Sequence, residues 1–148
     1  MNIDVNGVQI TLTKSQLEQI QKELNNQKPL IKRLFTWQDI LDHNNVKEMD
    51  VLPWNNPNTP EKVSQNGFAK LQLIKKTFNE DWVADFNNSN QYKYYTWYEK
   101  KKNGWSVVCV NDYNVNSNSV GFGLFSKNEE NENHINKYFF KEICEFLG

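Results

Sequence analysis

The chain has little of the residues and segments that would identify several classes of protein. Its 148 residues include only two cysteines. Cys109 and Cys144 lie far apart with no ligand-like spacing, so we expect two reduced, buried thiols rather than a disulfide framework. No stretch approaches the roughly eighteen apolar residues of a membrane span, and no basic segment followed by an apolar run indicates a signal peptide. We therefore expect a cytoplasmic protein with no membrane association.

Positive charge is not in excess. The chain has 17 basic and 18 acidic residues and a formal net charge of −1, and Arg33 is its only arginine. A protein that binds nucleic-acid backbones without sequence preference normally carries a basic excess. The composition therefore argues against a bulk electrostatic nucleic-acid binder, although it does not argue against a site-specific one.

Recognisable catalytic and metal-binding patterns are missing as well. Asp39 and His43 could pair across one helical turn, but no third ligand accompanies them. His134 follows the acidic run EENEN, which is typical of a solvated helix face. No serine lies in a nucleophile elbow, and neither cysteine has a catalytic motif around it. We expect no enzymatic activity, no cofactor and no metal.

What the chain does have is aromatic side chains and the length of one domain. Aromatic residues make up 14% of the sequence, and a chain of this length can bury a core without disulfides or metals. We expect a single domain over residues 1–148. Its loop-rich segment covers residues 43–58, where asparagine pairs and prolines interrupt any periodicity.

The first forty residues predict a hairpin followed by two helices. The stretch IDVNGVQITL alternates apolar residues around Asn6-Gly7, a pair well suited to a type I′ turn. Thr13 is placed to cap a helix that ends before Pro29. Thr36 is placed in the same way to cap a second, short helix.

A longer helix is predicted over residues 60–79. Thr59 supplies a capping hydroxyl, and Pro60 takes the first helical position, where its missing N–H is not needed. The apolar residues that follow recur on one helical face. The residues predicted to face inward are Val63, Gly67, Leu71, Ile74 and Phe78.

The periodicity then changes to that of strands. We predict strands at residues 92–100, 105–111 and 119–125, with the turn KKNG joining the first two. A closing helix follows Ser126, which has Glu129 in the capping-box position. The predicted fold is therefore α+β: an N-terminal β-hairpin and helices, a three-stranded antiparallel meander and a closing C-terminal helix.

The first strand of that meander, within QYKYYTWYEKKKNGWSVV, is the most distinctive part of the chain. Alternation places rings on both of its faces, so helices should cover at least one face. The stretch is therefore either an ordinary core hairpin with a solvated turn or a partly exposed surface where nucleobases stack beside lysines. The candidate partner-binding residues are Lys93, Tyr95, Trp97, Lys100, Lys101 and Lys102.

Two stretches carry a resemblance to a known group. With AKLQLIKKTFNEDWVADFNNSNQYKYYTWYE at residues 69–99 and the ending VGFGLFSKNEENENHINKYFFKEICEFL, the chain resembles small accessory proteins of phages and mobile elements of Bacteroides-like bacteria. It departs from that group at Thr96, where proline is usual, and it lacks the group's arginine in the segment that begins near residue 119. The resemblance implies a setting and no particular activity.

That setting suggests how the protein acts. Small non-enzymatic proteins of phages often bind host machinery, and anti-CRISPR inhibitors are one example. We therefore expect a protein that binds and modulates or inhibits a host protein or ribonucleoprotein, because tyrosine and tryptophan anchors suit protein recognition. One alternative is a module that binds single-stranded RNA or DNA through the aromatic strand. Another is a structural accessory protein of the virion or of replication.

Overall fold

A computed structural model describes residues 2–5, 8–113 and 124–148. Contacts between residues group the chain into two compact units, Met1–Arg33 and Leu34–Gly148, and each unit is described by itself. The expectation of one domain over residues 1–148 stays a prediction. Among the helices of the described ranges, none has the length and apolar content needed to cross a bilayer.

The first unit contains two short strands, an α-helix and a single 3-10 turn over Leu30–Lys32. Strands β1 (Asn2–Val5) and β2 (Val8–Thr11) pair antiparallel, and the turn residues 6–7 between them lie outside the described residues. Helix α1 spans Lys14–Asn26. Thr13 begins it as predicted, because the Gln16 amide donates to the Thr13 hydroxyl at 3.3 Å and the Gln16 side chain accepts from the Thr13 amide at 2.9 Å.

The second unit begins with two short helices. Helix α2 spans Trp37–Asn44 and begins at Thr36 with a capping box that includes Asp39. Helix α3 is a single turn over Glu48–Val51. It lies within the segment predicted to be loop-rich, so that segment is less irregular than its asparagines and prolines indicate.

Helix α4 spans Pro60–Asn79, as the sequence predicts. The Thr59 hydroxyl accepts from the Lys62 amide at 3.4 Å, and Pro60 occupies the first helical position. The inward stripe is confirmed at four of its five positions, while Val63 is half-buried. The buried members are Gly67, Leu71, Ile74 and Phe78.

An antiparallel hairpin follows α4. Strand β3 spans Lys93–Lys101 and strand β4 spans Gly104–Tyr113, close to the predicted bounds. Of the predicted third strand, residues 119–123 lie outside the described residues, and residues 124–125 are not in a strand. The described sheet in this unit therefore has two strands, and the three-stranded meander is not found there.

The C-terminal segment forms two helices where the sequence predicts one. Helix α5 spans Glu129–Tyr138 and helix α6 spans Phe140–Leu147, with the break at Phe139. The cap of α5 is Asn128, whose side chain accepts from the Asn131 amide at 2.8 Å. Ser126 does not cap the helix, because its backbone pairs with Tyr94 and its hydroxyl donates to a buried carboxylate.

Helices α4 and α6 pack against each other at very short range. A Cβ atom built on Gly67 would lie 2.7 Å from the carbonyl carbon of Glu145, and closer still to the backbone nitrogen of Phe146. One turn to each side, the Ser64 hydroxyl donates to the Phe146 carbonyl at 2.6 Å, and Lys70 pairs with Glu145 at 2.8 Å. We call these five residues the α4–α6 seam.

Truncation of Leu71 to alanine tests the inward stripe of α4. Leu71 is buried, so Leu71→Ala should lower the free energy of unfolding by about 2–5 kcal/mol, because apolar contacts are lost and a cavity is left. Urea denaturation monitored by circular dichroism measures the change. Gln72→Ala, at the exposed neighbouring position, is the control and should change stability by less than about 0.5 kcal/mol. Equal effects of the two substitutions would contradict the assigned stripe.

Candidate functional site

One face of the β3–β4 hairpin belongs to the core of the second unit. The Tyr98 hydroxyl donates to the Asn136 side chain at 2.7 Å, and the Asn136 amide donates to the Thr96 hydroxyl at 2.6 Å. Burial, helped by the Glu132 charge, raises the pKa of Tyr98, so the phenol stays a neutral donor. Part of the aromatic strand is therefore ordinary core, as one of the two interpretations of the sequence requires.

A buried ion pair lies beneath this face. The Lys75 ammonium on α4 contacts the Glu132 carboxylate on α5, and the exposed fractions of their side chains are only 8% and 1%. The hydroxyls of Thr96 and Ser126 donate to the same carboxylate at 2.7 and 2.5 Å. Such a pair tolerates burial because each charge has several polar partners.

Sequence reasoning missed both charged residues. Lys75 lies four residues after Leu71 and three before Phe78, so it falls on the inward face of α4, where a charge needs a partner. This spacing is a signal in the sequence that could have identified Lys75 as a buried charge. Glu132 has no comparable signal, because it lies in an acidic run that is typical of solvent-exposed helices.

His134 corrects a sequence prediction. The acidic run before it indicates a solvated face, yet the side chain is buried and its Nε2 donates to the Leu34 carbonyl at 2.7 Å. Rings surround the imidazole, with the Tyr138 centroid at 4.7 Å and the Phe78 centroid at 5.1 Å. Burial lowers the pKa of His134. It is a neutral core histidine, and no metal-binding group of three ligands occurs in the described part of the chain.

Lys93 is not the exposed cation that the sequence predicts. Its side chain is fully buried, and its ammonium donates to the backbone carbonyls of Gln91 at 2.8 Å and Asn88 at 3.4 Å. It also lies 5.6 Å from the centroid of the Phe86 ring. Because β3 begins under the loop that follows α4, these hydrogen bonds of Lys93 hold the loop in place. The charge of Lys93 is therefore not at the surface.

The other three predicted lysines lie at the turn end of the hairpin. Lys100 donates to the Gly148 carbonyl at 2.8 Å and lies 5.2 Å from the Trp105 ring. Lys101 pairs with Glu99 at 3.3 Å. Lys102 is exposed in the turn and makes no ion pair with the part of the chain that the structure describes. Of these three lysines, only Lys102 therefore presents a charge that no ion pair or hydrogen bond with a described residue engages.

Tyr95 and Trp97 are brought together, but only one of them is prominent at the surface. Their ring centroids lie 6.1 Å apart in an edge-to-face arrangement. Tyr95 is half-buried and also contacts Phe125, whereas 53% of Trp97 is exposed. The structure therefore brings two of the predicted aromatic residues together, while Lys93 on the same strand is buried.

A β-bulge lies beside Trp97 and exposes further apolar side chains. Trp97 pairs with Cys109 and Tyr98 pairs with Val107, so Val108 is the extra residue of β4. Val107 and Val108 are 41% and 58% exposed. We call Trp97, Val107 and Val108 the bulge patch. Large apolar side chains that are exposed beside one bulge often mark an interaction site.

A cavity of about 370 Å³ opens between the hairpin and the helices. Its inner walls include Leu71, Ile135 and Ile143, and Lys75 and Glu132 lie at its polar base. The rings that line it are Tyr95, Trp97, Tyr98, Trp105 and Phe146.

Neither cysteine is in a disulfide, as predicted. The expected burial is wrong for Cys109, which is exposed, and Cys144 is half-buried. Burial raises the pKa of the Cys144 thiol, which makes it a poor nucleophile at neutral pH.

No protein-family model, no curated protein and no solved structure matches the chain.

Proposed function

We propose that the protein binds another protein through the bulge patch, and that it thereby modulates or inhibits a host protein or ribonucleoprotein. The observation that carries this proposal is the exposure of Trp97, Val107 and Val108 at adjacent positions of the hairpin. Binding energy at protein interfaces concentrates in a few large side chains, tryptophan above all, that become desolvated at the centre of the contact. Trp97 is the anchor of the proposed contact.

The charges near the patch indicate the chemistry of the partner. Lys102 is exposed at the turn end of the hairpin, where Lys101 pairs with the exposed Glu99. Basic residues at a rim favour a partner with acidic residues around an apolar centre, because complementary charge speeds association and fixes orientation. The partner surface that fits is therefore apolar at its centre and acidic at the side that meets the turn.

Binding of single-stranded RNA or DNA is the lower-ranked alternative. It needs cations beside the exposed ring to neutralise phosphates, yet Lys93 is buried and Lys100 is engaged by the Gly148 carbonyl. The net charge of −1 adds no general attraction. The resemblance implies an accessory protein of a mobile element. A host protein fits this setting as a target equally well as a nucleic acid does.

Changes in the bulge patch should abolish partner capture. The tagged protein and its Trp97→Ala and Val108→Asp variants would be incubated with lysate of a Bacteroides-like bacterium, and captured proteins and RNA would be identified. A partner captured by the wild type should be missing from both variants. With the purified partner, Trp97→Ala should weaken binding about 30-fold or more, equivalent to about 2 kcal/mol for a hot-spot residue.

Val83→Asp is the matched control. Val83 is 76% exposed and lies outside the hairpin, so this substitution places the same charge on a different surface. Capture should survive Val83→Asp, and all variants should remain folded at the temperature of the assay, as circular dichroism would show. A partner that the Trp97→Ala and Val108→Asp variants still capture would contradict the proposal.

The nucleic-acid alternative has its own readout. Fluorescence anisotropy with single-stranded RNA and DNA oligonucleotides should show only weak binding at physiological salt. Tight, salt-sensitive binding that falls when Lys100, Lys101 and Lys102 are replaced by alanine would reverse the ranking. Loss of the same binding in Trp97→Ala would identify base stacking as its source.

A further inference from the structure

We infer that the cavity beneath the hairpin is a binding site for a small, uncharged, flat aromatic molecule with one hydrogen-bond acceptor at its inner end. The inference goes beyond the proposed protein contact, since it rests on the interior of the second unit, although Trp97 belongs to both. The volume of the cavity, about 370 Å³, lies within the range of ligand pockets in proteins, about 300–1,000 Å³.

The walls determine the shape and the polarity of the ligand. Aliphatic side chains of three helices form the inner part, and the indoles of Trp97 and Trp105 line the cavity on the hairpin side. Aromatic rings bind other flat rings by stacking and by edge-to-face contacts. The ligand that fits is therefore mostly apolar and flat.

The base of the cavity determines the charge of the ligand. Lys75 and Glu132 neutralise each other there, so a charged ligand would leave its own charge without a partner in an apolar space. Both oxygens of Glu132 already accept from neighbouring side chains. The carboxylate therefore has little capacity left for a ligand donor.

The ammonium group, in contrast, has one donor to spare. An ammonium carries three N–H donors, and within the described residues Lys75 uses two of them, on Glu132 and on Ser126. The side chain is more than nine-tenths buried and lines the cavity. A ketone, amide or ring carbonyl on the ligand would satisfy the third donor. The ligand must therefore carry a hydrogen-bond acceptor, and a pure hydrocarbon does not meet this requirement.

Two neutral fluorophores test the site. Prodan is a two-ring aromatic ketone, and dimethylaminonaphthalene has the same rings without the carbonyl group. Prodan should bind with one-to-one stoichiometry and a blue-shifted emission. It should bind about tenfold more tightly than its analogue, as one hydrogen bond to a charged donor requires. Methyl resonances of Ile135 and Ile143 should shift in the NMR spectrum, while that of Ile40, buried on α2, should not.

Three variants locate the probe. Leu147→Trp places a large ring in the lining of the cavity and should weaken binding of both probes at least tenfold, whereas Lys141→Trp, exposed on the same helix, should leave it unchanged. The double variant Lys75→Met with Glu132→Leu should bind both probes equally. Prodan binding that Leu147→Trp does not affect, or equal affinity of the wild type for the two probes, would overturn the inference.

Discussion

Replacement of Glu132 by alanine should lower the free energy of unfolding by about 3–5 kcal/mol, because it leaves a buried ammonium without a counter-ion. Among the described residues, Lys75 on α4 would then keep only the Ser126 hydroxyl as a partner, and the Thr96 hydroxyl would lose its acceptor. The loss should exceed that of a typical single substitution. Guanidinium denaturation at neutral pH measures it.

Two comparisons separate burial from charge. Glu99→Ala removes a partner of Lys101, but both side chains of that pair are more than half exposed, so the loss should stay below about 1 kcal/mol. Lys75→Met combined with Glu132→Leu should recover most of the stability, since an apolar pair of similar volume often replaces a buried ion pair without loss. A single Glu132→Ala variant as stable as Glu99→Ala would show that water reaches the pair.

The second large effect is expected at Gly67. Alanine normally stabilises a helix relative to glycine by about 0.8–1 kcal/mol, yet Gly67→Ala should destabilise this protein by about 1–3 kcal/mol or more. The added methyl group would overlap the backbone of Glu145 and Phe146, and a backbone cannot move aside as a flexible side chain can. Thermal unfolding, followed by circular dichroism, measures the change.

A graded series makes the test specific. Gly67→Val should cost more than Gly67→Ala, because the extra atoms must push α4 and α6 further apart. Lys76→Ala, exposed near the end of the same helix, should change stability by less than about 0.5 kcal/mol. A stabilising effect of Gly67→Ala would mean that helix propensity governs this position and that the two helices are not in close contact there.

Local signals predicted the helices well. Thr59-Pro60 and the apolar spacing after it gave the bounds of α4, and Thr36 gave the start of α2, because caps and periodicity act over three or four residues. The closing helix was predicted less well. Its start depends on Asn128 rather than Ser126, since tertiary contacts use the Ser126 hydroxyl. The break of this helix at Phe139 could not be predicted, because no glycine or proline marks it in the sequence.

The candidate site was less predictable, because it depends on contacts between distant segments. Trp97 was correctly chosen as an exposed ring. Lys93 was chosen wrongly, because its burial depends on carbonyls of the preceding loop. The bulge at Val108 has no glycine to mark it, and alternation in β4 cannot reveal an extra residue. Lys75 and Glu132 lie 57 residues apart, and no pattern along the chain links them.

The α4–α6 seam also affects the order of events while the chain is being made. The hydrogen bond from Ser64 to Phe146 joins residues 82 positions apart, so α4 leaves the ribosome long before its partner exists. At about 5–20 residues per second, the wait is about 4–16 s. During that time the stripe of Leu71, Ile74 and Phe78 has no α6 to cover it. The nascent chain should therefore depend on chaperones until α6 emerges, and its second unit should fold as a whole only then.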